Sequence, residues 1–280
     1  MTTHKVSWNQ FKTTVSNITE AAPGAIYRGQ SDASWGLVSS YHRLAASVDS
    51  SVYWGLLDEL KDYVETWSDH HWDLSNNQDI SAFVGFLQHN GFPTPLLDWT
   101  DSPYIAAYFA FDGVDDAEPQ NDDVSIFAFD TTKWVDDWQQ VMDLKSATPH
   151  VSVLRSPARG NRKQIIQQGV YTFTNVQDQQ AHIEHIEEVA KKTPAPTYLY
   201  KYEIPSTDKP AALRDLHTMA INAMTLFPNI EGVCKYLRSR YFSPPSVGMT
   251  PSQRTEAFLE SLKSHSDAQA QTETDSPPDL

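Results

Sequence analysis

The stretch from His89 to Asp112, H-N-G-F-P-T-P-L-L-D-W-T-D-S-P-Y-I-A-A-Y-F-A-F-D, decides how the rest of the chain is read. Gly91, Pro93 and Pro95 punctuate its first part, which suits a turn or extended segment and not a helix. Leu96 and Leu97 then form a short apolar run that delivers Asp98, Trp99, Thr100 and Ser102. Pro103 fits the first turn of a helix, where its missing N–H would be unpaired anyway. Ser102 or Asp101 can cap that helix, and Ile105 to Phe111 supplies an apolar body whose alanines allow close approach to neighbours. A polar cluster is therefore expected where an extended segment turns into a buried helix. Any capped core helix looks the same, so its meaning depends on which other polar positions fold beside it.

Outward toward the N-terminus, Tyr53 to Trp72 and Ile80 to His89 carry helical apolar spacing. Ala25-Ile26-Tyr27 reads as a brief strand that delivers Arg28-Gly29-Gln30. Before it, Val6, Trp8, Phe11, Val15 and Ile18 predict an amphipathic lead-in over residues 1–24. Toward the C-terminus, residues 112–123 read as a solvated acidic loop and Val124 to Asp130 as a strand. A short helix near Trp134 to Met142 is expected in a peripheral insertion. Gly169 to Thr174 and Tyr198 to Ile204 read as strands. Helices are expected at Asp178 to Lys192, Pro210 to His217, Met219 to Phe227 and Val233 to Tyr241. Residues 244–280 are expected as a helical turn and a flexible acidic tail. Without a regular βα rhythm, the pattern predicts one α+β domain over residues 25–243, a small central sheet flanked by helices.

Composition narrows the function. The formal charge of the 280 residues is -15, which argues against a generic nucleic-acid-coating role and suits a protein partner with a basic surface. Nucleic acid is expected only as a local acceptor. One Cys excludes an internal disulfide and a cysteine-rich metal cluster, and Cys234 is expected in the core. No apolar run approaches about twenty residues and no basic-plus-apolar leader is visible, so a soluble cytoplasmic protein without a membrane span is expected.

Arg28, past a short strand and next to a residue without a side chain, suits a grip on the phosphate or ribose of a ligand lying against the backbone. A structural pairing with Asp98 is the duller alternative. Arg162 and Gln168 flank the approach to a strand; the Gln168 amide can orient a hydroxyl or water but is no strong base. Glu231, in Pro228-Asn229-Ile230-Glu231-Gly232, could stabilise developing positive charge or simply favour a helix start. His89 and His42 are individually plausible pocket residues. His70-His71 and His182/His185 make no metal site, and none is expected. Trp35 and Trp99 are expected mainly to pack, with a stacking role at the pocket wall open to one of them.

These positions resemble a known family. Tyr27-Arg28-Gly29-Gln30 resembles the F/Y-R-G signature of the FRG domain, and Trp35, Leu37, Ser40 and Arg43 resemble its continuation. Leu87 to Pro103 resembles the family's long L-Q-H-x-G-x-P-T-R-L-L-D-W-T-x-S-P motif. Arg162 to Phe173 and Phe227 to Gly232 resemble two later motifs, so the resemblance runs from about Tyr27 to Tyr241. Pro95 stands where the family usually has Arg, and Asn229 where it usually has Asp.

The family occurs in bacteria and phages, and its motif order resembles, at a distance, the ADP-ribosyltransferase fold. That resemblance implies NAD as cofactor and an ADP-ribosyltransferase or NAD hydrolase. Arg28 would hold the cofactor, with His89 and Arg162 also at its site. Thr100 and Ser102 would orient the nicotinamide ribose, and Asp98 would orient Arg28 or a hydroxyl. Gln168 or Glu231 would fill the third catalytic place. The alternative is a non-catalytic binding or sensor module in a phage-defence or toxin system. A metal-dependent nuclease using Asp98 and Glu231 ranks last, because no tight acidic motif is present.

Overall fold

A computed structural model describes residues 1–44, 50–114, 123–146, 150–174 and 197–242. Among them, seven strands form one mixed sheet: β1 (Thr2–Lys5), β2 (Ala25–Gln30), β3 (Leu96–Thr100), β4 (Asp123–Asp130), β5 (Val151–Leu154), β6 (Gly169–Thr174) and β7 (Leu199–Pro205). Their spatial order is β1-β7-β4-β2-β3-β6-β5. Only the β1–β7 pair is parallel. The expected α+β class with a central sheet and flanking helices is what forms, although the sheet is large, not small.

Helices α1 (Trp8–Ala21), α2 (Ser40–Leu44), α3 (Ser50–Trp67), α4 (Asn77–His89), α5 (Pro103–Asp112), α6 (Thr131–Asp137), α7 (Arg162–Ile166), α8 (Lys209–Thr218), α9 (Ala223–Leu226) and α10 (Ile230–Phe242) surround it. The segment expected as a helical lead-in divides into β1 and α1. Ser7 and Gln10 close a reciprocal capping box at the start of α1. Its Trp8, Phe11 and Val15 are buried in the main core, and the Trp8 indole donates to the Asp215 carboxylate of α8 at 2.9 Å. The lead-in is thus part of the same sheet and core. Trp134, expected in a peripheral insertion, is also fully interior, on α6. Strand β5 was not expected; four residues between polar loops carry too short a pattern to read. The helix expected at Asp178 to Lys192, the tail 244–280 and the pair His182/His185 lie outside the described residues.

Residues opposite one another in a ladder project from the same sheet face. That rule places two core clusters side by side on one face. The first joins α1, α5 and α8 to Tyr27, Ile126 and Ala128. The second joins α3 and α4 to Leu96, Tyr171 and Phe173. A third cluster, with Ile26, Leu97, Trp99, Phe127 and Trp134, covers the other face. The seam between the first two falls where β2 meets β3.

Helix α5 is held tightly over β2. A Cβ on Gly29 would lie 1.9 Å from the Ala106 carbonyl oxygen and 2.8 Å from the Ala110 nitrogen. Ala106 and Ala110 are themselves fully buried. Gly29 is therefore a packing glycine facing α5, and it also lies on the wall of the cleft described below. Ser102 caps α5 by accepting from the Ile105 N–H at 3.2 Å, with Pro103 in the first turn, as the sequence predicts.

Candidate functional site

Strands β2 and β3 share a single paired position, Tyr27 opposite Thr100. Continuing that antiparallel register would set Gly29 opposite Asp98, but the strands splay instead. The Arg28 guanidinium spans the gap and donates from Nη1 to the Asp98 carbonyl oxygen at 2.7 Å. A cleft of about 780 Å³ opens here, a volume typical of small-ligand sites. Because β2 and β3 diverge, the cleft draws side chains from both faces: Arg28, Gln30 and Trp35 from one, and His89, Asp98 and Tyr171 from the other.

Among the described residues, no carboxylate oxygen lies within 4.0 Å of the Arg28 guanidinium. Its buried Nε has no acceptor. Burial pulls the Arg28 pKa down, the nearby Asp98 charge pushes it up, and Arg43 lowers it further. An Arg remains charged at any physiological pH, so the cleft contains a half-buried cation without a close counter-ion. Arg43 and Lys163 also line the cleft. The former donates to the Val38 carbonyl at 2.6 Å, and the latter lies over the Phe227 ring.

Asp98 lines the cleft with its side chain exposed. His89, at the end of α4, shares a 3.2 Å hydrogen bond with the Tyr171 hydroxyl. Burial lowers the His89 pKa, Asp98 partly offsets this, and Lys163 lowers it again. The imidazole is therefore held neutral near pH 7, able to accept a proton. Burial also raises the Tyr171 pKa, with the Asp98 charge adding to it, so the phenol stays protonated.

The fold treats the other expected site residues differently. Thr100 lines the cleft but is buried, and its hydroxyl is used internally: it donates to the Gln167 carbonyl at 2.7 Å and accepts from the Ser102 N–H at 3.1 Å. Ser102 is occupied as the cap of α5 and does not line the cleft. Gln168 adopts a left-handed backbone conformation with φ 50° at the turn from α7 into β6, and its side chain is exposed away from the cleft. The one-residue offset of that turn instead brings Gln167, along with Gln164, to the wall. Arg162 is exposed at the start of α7, and Lys163 faces the cleft in its place. Glu231 is exposed in the first turn of α10, outside the lining. Arg28, Asp98, Thr100 and His89 are thus brought together, whereas Ser102, Arg162, Gln168 and Glu231 are not.

Sequence reading missed Gln30, Lys163, Gln164 and Gln167. Gln30 stands two positions after Arg28 on the same strand face, and period-two alternation was a signal that could have found it. Four basic residues fall close together at Arg155, Arg159, Arg162 and Lys163, and two of them are paired, Arg155 with Asp101 and Arg159 with Asp79. Cys234, expected in the core, is exposed on α10. Pro95 is buried and does not line the cleft; Asn229 keeps an acceptor role, taking the Gly232 N–H at 3.0 Å. Among the described residues there is no cluster of metal-ligand side chains, and no helix is long and apolar enough to cross a membrane.

Residues 23–119, about a third of the chain, match the FRG domain family. The match includes the Tyr27–Gln30 and Leu87–Pro103 motifs; the motifs after Arg162 lie beyond it. No curated protein and no solved structure matches the chain significantly.

Proposed function

From a cleft that holds a guanidinium with no carboxylate within 4.0 Å, we propose a site for a small phosphorylated ligand, with NAD as the molecule used and ADP-ribosyl transfer or NAD hydrolysis as the reaction. The observation that carries this reading is Arg28, lacking a carboxylate within 4.0 Å and leaving Nε without an acceptor. A partly desolvated cation with no close ion-pair partner is costly, and an anion supplied from outside lowers that cost. Lys163 and Arg43 add positive potential in the same cleft.

Bound NAD supplies a glycosidic C1′–N bond whose cleavage releases neutral nicotinamide, with water or an acceptor hydroxyl adding to C1′ and losing one proton. Arg28 and Lys163 would hold the diphosphate. Asp98 takes the catalytic place expected of Gln168 or Glu231, because it is the carboxylate on the cleft wall, and its negative charge would favour positive charge on the sugar. His89, kept neutral by burial, would accept the proton released by the incoming hydroxyl.

Calorimetric titration with NAD and ADP-ribose, together with assay of released nicotinamide, tests the reading. Arg28→Met should abolish binding, and Asp98→Asn should leave binding while lowering nicotinamide release at least about 100-fold. Equal binding by wild type and Arg28→Met in a folded variant removes the proposal.

A second reading, a non-catalytic binding module, is favoured by the internal use of the Thr100 and Ser102 hydroxyls. It keeps the Arg28-dependent site and adds a protein partner with a basic surface, attracted by the net charge of -15. Tight NAD or ADP-ribose binding, with nicotinamide release no higher than in Asp98→Asn, separates it from the first.

A further inference from the structure

Trp35 departs from the behaviour of the interior tryptophans. Trp8, Trp72, Trp99 and Trp134 are each at most 3% exposed, while Trp35 is 55% exposed on the cleft wall. Trp67 is also exposed, at the end of α3, but it lines no part of the cleft. Trp35 has no ring partner among the described residues. Trp99, by contrast, packs at a tilt against Phe129 with ring centroids 5.7 Å apart and donates to the Thr172 hydroxyl at 2.9 Å, so it is a packing residue.

The loop carrying Trp35 is anchored from several sides. The Ala33 N–H donates to the Asp123 carbonyl at 2.8 Å, and the Lys201 ammonium donates to the Ala33 carbonyl. The Asp32 carboxylate accepts from the Ser34 N–H at 2.7 Å, and the Asp32 carbonyl accepts from the Trp35 N–H at 3.3 Å. On the far side, the buried Gln30 amide donates to the Gly36 carbonyl at 3.2 Å. That bond fixes the amide orientation, since only its NH₂ can meet a carbonyl, and it leaves the buried Gln30 Oε1 without a donor. An exposed indole on a backbone fixed in this way loses little freedom when it binds a flat partner.

Three kinds of group therefore meet in one cleft: a planar apolar platform, a carboxylate that accepts hydroxyl donors, and a cation with no carboxylate within 4.0 Å. A ligand complementary to all three has a flat ring, sugar hydroxyls and a phosphate. We propose that Trp35 is the specificity-determining platform of the cleft, stacking the base of a nucleotide whose phosphate rests on Arg28. This rests on the anion-binding reading above and adds which residue recognises the base.

The test compares AMP with ribose 5-phosphate, which differ by the base, by titration calorimetry on the full chain. Wild type should bind AMP roughly tenfold or more tighter than ribose 5-phosphate, the range expected for one stacked base. Trp35→Ala should bring AMP down to the level of ribose 5-phosphate while leaving the latter within about twofold, and Trp35→Phe should retain part of the gap. The proposal is overturned if wild type binds the two alike, if Trp35→Ala keeps the gap, or if it weakens both equally. Failure of the anion-binding reading looks different: Arg28→Met then binds ribose 5-phosphate as wild type does. If wild type binds neither probe, both proposals fall.

Discussion

The Arg28 guanidinium donates to the backbone carbonyl of Asp98 at 2.7 Å, and the Asp98 carboxylate is not its ion-pair partner. The bond joins β2 to β3 just beyond their single paired position, where the strands splay. Arg28 thus stands at a structural junction and faces a cleft with charge to spare.

Those two roles separate on substitution. Arg28→Met keeps much of the side-chain volume and removes a desolvated charge, so its urea-denaturation stability should stay within about 2 kcal/mol of wild type despite the lost hydrogen bond. Binding of phosphorylated ligands should disappear. A loss of stability well beyond that range would mark Arg28 as mainly a strut.

Two glycine substitutions should move in opposite directions. Gly29→Ala drives a methyl into the Ala106 carbonyl and the Ala110 nitrogen, so it should cost at least about 3 kcal/mol or prevent folding. Gly55→Ala lies on the exposed side of α3 with nothing within 4 Å of the added carbon, and should stabilise by about 0.5–1 kcal/mol. Equilibrium unfolding of the two purified variants checks both signs.

Thr100 should prove structural and not ligand-binding. Thr100→Val removes a hydroxyl that donates to the Gln167 carbonyl and accepts from the Ser102 N–H, at a cost of about 1–3 kcal/mol. Thr100→Ser should recover most of this. If the folded Thr100→Val protein loses nucleotide binding while Thr100→Ser keeps it, the hydroxyl belongs to the site after all.

His89 gives stability a pH dependence of known sign. Burial lowers its folded pKa, so below the unfolded value of about 6.5 the unfolded chain takes up a proton that the folded chain resists. Stability contributed by neutral His89 is present above that value and is lost as pH falls through the folded pKa. Buried His150 acts in the same direction. Thermal midpoints measured between pH 7.5 and about 5 should fall less steeply in His89→Gln than in wild type. Parallel curves would remove His89 from the account.

Local chemistry made much of this fold readable. The cap at Ser102, the proline at the first turn of α5, and the alternation of β4, β6 and β7 all lie within a few neighbouring residues. β1 and β5 escaped notice because four residues carry too little pattern and their pairing comes from distant strands. Gln167 lines the cleft and Gln168 does not, because a left-handed turn between α7 and β6 decides which amide faces inward, and spacing alone does not contain that rotation.

The sequence by itself determined the helix and strand types around β3, the FRG motifs and the prominence of Arg28, since these depend on short-range periodicity, capping and residue identity. Tertiary structure alone decided that β2 and β3 diverge, that α5 packs directly on Gly29, and that Lys163 and Trp35 face the cleft where Arg162 and Glu231 do not. The reason is physical: which way a side chain points depends on how separate elements cross, and crossing is set by packing between residues far apart in the chain.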